Sequence, residues 1–153
     1  MSRERDTVLG AAIVYVGASL AAGTAAFAGA GLAHTRFFAA ATGDGVEELG
    51  PVFVESALVQ IGVSALVVAP VLAVLVGLVI GRGVLDPSKA IVIGATMGLC
   101  GTLFFGAVVA ILGSAGTPVG SLRTQSFLVA LAVTAGASTV VGGLGSAVGA
   151  RTG

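Results

Sequence analysis

Two polar side chains, Glu55 and Gln60, lie at the head of a long apolar stretch, in the segment VFVESALVQIG at positions 52–62. An ionisable residue inside a membrane marks a functional site by default, often one for protons or ions. If Arg82 marks the inner edge of the span, Glu55 lies about 40 Å away along a straight helix, which is roughly the full bilayer with its headgroups. We therefore predict that Glu55 lies in the outer headgroup layer and Gln60 at the hydrocarbon boundary. A strong tilt, or a bend at Pro70, would instead bury Glu55 as a functional acid.

The other reactive side chains offer little for catalysis or metal binding. His34 is the only histidine and lies at the end of the first apolar stretch, where we favour a plain interfacial position over a metal ligand or a pH sensor. Cys100 points away from the glycines of its helix, which favours a small apolar side chain facing lipid or a neighbour over a reactive thiol. The acidic cluster Asp44, Glu47 and Glu48 supplies too few ligands for a calcium site. No nucleophile lies in register with a base, so we predict no enzyme activity, no metal and no cofactor.

The elements that must position these residues are four long apolar stretches, at 8–33, 52–81, 90–113 and 127–150. The 153-residue chain is 56% hydrophobic and only 9% charged, whereas about a quarter of the residues of a soluble domain are charged. Each stretch exceeds the roughly 20 residues that cross a bilayer as a helix. We therefore predict an all-α fold: a polytopic membrane protein whose four transmembrane helices form a compact bundle, as a single transmembrane domain over 1–153.

The third helix carries recognisable start and stop signals. In DPSK at 86–89, Asp86 is a candidate N-cap and Pro87 suits the first helical turn. Glycine followed by proline in GSAGTP at 113–118 predicts where this helix ends.

Basic residues are unevenly distributed between the two ends of these helices. Five lie at the ends that also carry the chain termini, namely Arg3, Arg5, Arg82, Lys89 and Arg151. The opposite ends hold Arg36 and Arg123. Because positively charged flanks stay in the cytoplasm, we predict a multi-pass protein with both termini cytoplasmic, in a prokaryotic cell membrane or a viral envelope. The formal net charge is zero, so we expect no nucleic acid as a partner. The four apolar stretches make membrane lipid the expected surroundings.

The first stretch also has an alternative interpretation as a cleaved signal peptide. Arg3 and Arg5 precede an apolar run with small residues around Ala26–Ala28. However, Glu4 and Asp6 dilute the positive end, and the run is longer than the usual core of a signal peptide. We therefore favour a retained helix.

Small residues recur at helical spacing in every stretch and are the most informative pattern in the chain. In a membrane, small residues let helix backbones approach closely. Gly94-x-x-x-Gly98 and Gly145-x-x-x-Gly149 are literal GxxxG motifs. The glycines that we predict to pack helices together are Gly23, Gly94, Gly98, Gly101, Gly142, Gly145 and Gly149. This packing can lie within one bundle or between subunits, and we favour the former for the motifs themselves.

The functional expectation follows from the lack of catalytic residues and from the many small residues. With no catalytic set, we expect a non-catalytic integral membrane protein, either an accessory or assembly subunit or an envelope component. It would form a homo-oligomer or associate with other membrane subunits, because small residues occur on several helix faces. The alternative is a small transporter or channel with an uncharged pore, reached by Gln60, Ser64, Thr102 or Thr134.

Overall fold

The computed structural model of the protein describes residues 2–40, 50–115 and 124–152, which form four helices. Helix α1 spans Ser2–Ala40, α2 Gly50–Gly83, α3 Pro87–Ala115 and α4 Thr124–Thr152. No strand occurs within these three ranges. Side chains are not described for His34, for residues 50–62, for Ser64 and Ala65, and for some residues near the helix ends.

Every helix contains a stretch that is long and apolar enough to cross a membrane. These stretches are Glu4–Gly29, Leu66–Gly83, Pro87–Leu112 and Phe127–Thr152. The predicted all-α fold with four helices of this kind is confirmed for the described residues. In hydrocarbon, backbone N–H and C=O groups find no water, and a helix satisfies them internally.

Large apolar side chains cover the outside of all four helices. Ile13, Val67, Val92 and Val133 are between 62% and 69% exposed. Monomeric soluble proteins rarely expose contiguous apolar patches larger than a few hundred Å². An outer surface of this kind suits contact with lipid chains.

The helices pack around a central pair. Helices α2 and α3 contact each other, and both contact α1 and α4, whereas α1 and α4 do not touch within the described parts of the chain. Helices α1 and α4 therefore flank the α2/α3 pair on opposite sides. Thr7 lies against Gly83, and Gly81 lies against Ala150. These contacts bring the start of α1, the end of α2, the start of α3 and the end of α4 together at what we call the basic end.

The two sides of the bundle are filled differently. Two apolar clusters join α1 to the central pair. The cluster nearer the basic end consists of Ala11, Tyr15, Val76, Ile80, Val84 and Ala90. The other consists of Ala26, Ala69, Phe105 and Val109. Neither cluster contains a residue of α4. Apolar side chains therefore join α1 to the central pair, whereas α4 meets that pair through Leu131 beside Gly106 and through a series of small residues.

A short turn joins α2 to α3, and α3 starts with a complete N-terminal cap. Asp86 Oδ1 accepts hydrogen bonds from the backbone N–H of Ser88 at 2.9 Å and of Lys89 at 3.4 Å. Pro87 is the first residue of α3, where its missing N–H costs nothing. The predicted N-cap and first-turn proline are therefore confirmed.

Replacing the cap residue should destabilise the fold measurably. We expect Asp86→Ala to lower the free energy of unfolding by about 1 kcal/mol, because two N–H groups at the start of α3 lose their acceptor. Unfolding of the protein in one detergent would be compared with that of Ser88→Ala, which keeps its backbone donor. An equal effect of the two substitutions would contradict the capping role of Asp86.

Candidate functional site

Helices α2 and α4 meet through their backbones. The contact is lined by two Gly-x-x-x-Gly pairs, Gly77 and Gly81 of α2 and Gly145 and Gly149 of α4. A Cβ atom built at Gly81 would lie 2.8 Å from the Cα of Gly149. One built at Gly145 would lie 2.7 Å from the carbonyl oxygen of Val74. Real Cβ atoms essentially never come within 3.0 Å of such atoms, so no larger residue fits at this spacing.

Helices α3 and α4 approach each other in the same way. A Cβ atom built at Gly142 would lie 2.6 Å from the carbonyl oxygen of Gly94, and one built at Gly94 would lie 2.7 Å from the carbonyl oxygen of Gly142. One helical turn along α3, Gly98 lies against the carbonyl oxygen of Ser138. Helix α4 is therefore in backbone contact with both helices of the central pair.

Ser146 lies at the point where α2, α3 and α4 converge. Its side chain is fully buried, and its hydroxyl donates a hydrogen bond of 3.0 Å to the carbonyl oxygen of Gly77 on α2. On the other side, a Cβ atom at Gly94 of α3 would overlap the same hydroxyl. The missing side chain at Gly94 therefore leaves the room in which Ser146 makes its bond. Hydrogen bonds between helices in a membrane contribute about 0.6 kcal/mol on average and up to about 2 kcal/mol.

The contacts of α1 involve side chains instead of backbone. Gly101 of α3 lies under the ring of Tyr15, with a built Cβ 2.5–2.6 Å from three ring carbons. Gly23 of α1 lies beside Leu112, 2.6 Å from its Cδ1. Of the seven glycines predicted to pack helices, these two face side chains, and the other five face the backbone of another helix.

Three buried hydroxyl groups have no hydrogen-bond partner among the described atoms. They are Tyr15 Oη, Thr102 Oγ1 and Ser138 Oγ, on residues that are 2%, 0% and 0% exposed. Other hydroxyls in these helices bond within their own helix: Ser19 Oγ donates to the carbonyl oxygen of Tyr15 at 2.6 Å, and Thr139 Oγ1 to that of Ala135 at 2.8 Å. Most buried polar groups in proteins are satisfied by protein or water, so these three retain unused hydrogen-bonding capacity.

Several polar residues predicted from the sequence cannot be placed in this interior. The side chains of Glu55, Gln60 and His34 lie outside the described residues, although their backbones belong to α2 and α1. The depth of Glu55 therefore stays a prediction. Asp44, like the rest of its acidic cluster, also lies outside the described residues. Cys100 is exposed, as its position on the helix predicts.

Ser146 and Tyr15 lie at the centre of the packing, and the sequence alone did not mark either of them as functional. The burial of Ser146 is consistent with the small-residue face of α4, but its bond to Gly77 depends on how α2 is rotated. Tyr15 is the only tyrosine in the chain, and this is the one signal that marks it.

The chemistry available in the described interior is hydrogen bonding by hydroxyl and carbonyl groups. No group of three or more His, Cys, Asp or Glu side chains that could hold a metal ion occurs among the described residues. No family model, no curated protein and no solved structure matches the chain.

A pair of serine substitutions tests the bond between α4 and α2. We expect Ser146→Ala to lower the free energy of unfolding in detergent by about 1 kcal/mol, because it removes a buried bond between helices. Ser138→Ala removes a buried hydroxyl that has no described partner, so its effect should be neutral or slightly stabilising. Equal losses for the two variants would show that the Ser146 bond does not hold the helices.

Proposed function

We propose that the chain is an integral membrane protein with both termini and the α2–α3 turn in the cytoplasm, in a prokaryotic cell membrane or a viral envelope. The length and apolar surface of its four helices support insertion. The five basic residues of the basic end against two at the other end support the orientation.

Within that membrane, we propose a non-catalytic role in assembly, as a subunit that binds a second copy of itself or other membrane subunits. The observation that carries this proposal is one open face of α1. It consists of Gly17, Ala21, Thr24 and Ala28, which are all exposed. Their positions fall within one narrow sector of the helix, at about 100° per residue. Beyond its own stretch of α1, no described atom lies within 4 Å of a Cβ built at Gly17.

The open face differs from the surface around it. Other exposed positions mostly carry large side chains, such as Leu20 and Phe27 on α1 or Val140 and Leu144 on α4. Such side chains suit lipid contact. A strip of small side chains lets another helix approach closely, as Gly81 and Gly149 let α2 and α4 approach within the bundle. A partner helix on this face would use the same type of contact.

A small uncharged-pore transporter or channel is the second candidate, and one observation favours it. The hydroxyls of Tyr15, Thr102 and Ser138 lie buried without described partners, and such groups could serve water or a polar solute. The backbone of Gly98 lies directly against that of Ser138, which leaves little room for a pore beside this residue, so we rank this function second.

The orientation can be tested with topology reporters. Reporters fused after Arg36 and after Lys89 should report opposite sides of the membrane, with Lys89 on the cytoplasmic side, because the basic asymmetry favours that arrangement. A reporter exposed outside the cell after Lys89 would overturn it. Recovery of a mature chain that lacks the first stretch would instead identify a cleaved signal peptide.

The assembly role predicts that the open face sets the strength of association. We expect the wild-type protein to form a homo-oligomer or a defined complex in mild detergent, and Gly17→Leu to weaken that association about tenfold, or about 1.4 kcal/mol. Leucine favours helix more than glycine does, so the fold itself should not suffer. Dissociation would be followed as detergent dilutes the protein.

The matched control for that experiment is Gly136→Leu. Gly136 is also exposed, with no described atom within 4 Å of a built Cβ beyond its own helix, but it lies on α4. Its substitution should leave association unchanged. A wild-type protein that stays monomeric in detergent and in native membrane, and that carries a specific solute across liposomes, would replace the assembly role with transport.

A further inference from the structure

A groove of about 470 Å³ lies between α1 and α2 at the basic end. Its lining changes along its length. Asp6 and Arg82 supply the charged groups at its mouth, and Val14, Leu75 and Val79 line the part farther from the basic end. The groove therefore joins a polar region to an apolar one within a single space.

The length of the groove matches part of one membrane leaflet. From Asp6 to Val14 the lining covers about 12 Å of helix, and half of the hydrocarbon core measures about 15 Å. In the proposed orientation, the mouth lies at the cytoplasmic headgroup layer, and the apolar part extends into the hydrocarbon.

The lining of the groove distinguishes between occupants. Val14, Leu75 and Val79 are each more than half exposed, so the apolar part of the groove is open to surrounding lipid chains. An amphiphile with one charged end meets both this apolar lining and the two charged groups of the mouth. An apolar helix on the same surface would leave Asp6 and Arg82 without partners.

We propose that this groove binds one phospholipid of the cytoplasmic leaflet, with an acyl chain along the apolar lining and its phosphate paired with Arg82. This inference rests on the proposed membrane insertion. Guanidinium groups bind phosphate oxygens through two parallel hydrogen bonds. Asp6 at the same mouth accepts a hydrogen bond from an ammonium or hydroxyl group of the lipid headgroup. Arg82 thus matches the phosphate of the lipid, and Asp6 matches a hydrogen-bond donor on its headgroup.

Gly10 gives direct access to the groove for mutagenesis. It lines the groove and is exposed, and beyond its own stretch of α1 no described atom lies within 4 Å of a built Cβ. A side chain at this position would therefore begin in open space on the wall of the groove. Gly136 of α4 is equally open but does not line the groove. Gly136→Leu is therefore a matched control.

The experiment counts lipids that stay bound to the full-length protein. The chain is reconstituted into vesicles of phosphatidylethanolamine and phosphatidylglycerol, extracted in mild detergent and weighed by native mass spectrometry. We expect one phospholipid retained per wild-type protomer, and at least about tenfold less with either substitution. Gly10→Leu occupies space that the acyl chain needs, and Arg82→Gln removes the guanidinium that pairs with the phosphate. Gly136→Leu should retain lipid like the wild type. Phosphatidylcholine, which has no headgroup donor, should be retained less.

The other outcomes would contradict lipid binding in the groove, the contact with Asp6 or membrane insertion. Equal retention by Gly10→Leu and Gly136→Leu, or none by the wild type, would overturn lipid binding. Loss of an associated protein rather than a lipid from Gly10→Leu would make a protein segment the occupant and also overturn it. Equal retention of phosphatidylcholine would overturn the contact with Asp6. Extraction of the chain from membranes by alkaline carbonate would overturn the membrane insertion itself, which keeps the two failures distinguishable.

Discussion

The bundle depends on how closely α4 can approach α2 and α3. In lipid, apolar side chains gain little by leaving their surroundings, so helices associate through close packing and hydrogen bonds. Glycines at Gly94, Gly142 and Gly145 allow that approach because a Cβ at any of them would meet backbone atoms of another helix at 2.7 Å or less. The same approach brings Ser146 within 3.0 Å of the carbonyl oxygen of Gly77. The hydrogen bond is therefore a consequence of the glycine spacing.

This constraint divides the molecule into two kinds of interface. On the α4 side, glycines bring helix backbones into direct contact, and Ser146 and Leu131 contribute side chains between the helices. On the α1 side, larger residues such as Tyr15, Ile80 and Phe105 fill the space between helices. Helix α1 also keeps an outward strip of small residues that nothing described covers, next to an amphipathic groove at the basic end. Both proposals for binding, of a helix and of a lipid, therefore concern α1.

Much of this architecture could be predicted from the sequence, because a long apolar run satisfies its backbone hydrogen bonds most simply as a helix. Uninterrupted apolar runs specify helices of spanning length, and Asp86 with Pro87 specifies where one begins. The small-residue face of α4 was also readable, since Ala135, Ser138 and Gly142 repeat at helical spacing and are all buried. Periodicity tells which residues share a face of one helix.

Periodicity does not tell which helix that face will meet. Gly98 faces backbone on α4, whereas Gly101, three residues later, faces the ring of Tyr15 on α1. That difference depends on how α3 is rotated between α1 and α4, which the residues of α3 alone do not determine. The partner of Ser146 was not predictable for the same reason. The absence of described partners for Thr102 and Ser138 is likewise a property of the assembled interior.

The placement of the tightest contacts also has a consequence for synthesis in the cell. Helix α4 follows α2 and α3 in the chain, so a ribosome delivers it after them. In the proposed membrane, Gly77, Gly81 and Gly94 would face lipid until then, because the backbone of α4 that packs against them would be absent. Nascent α2 and α3 would be most accessible to membrane proteases during this interval. Entry of Gly142 and Ser146 between them would end that exposure.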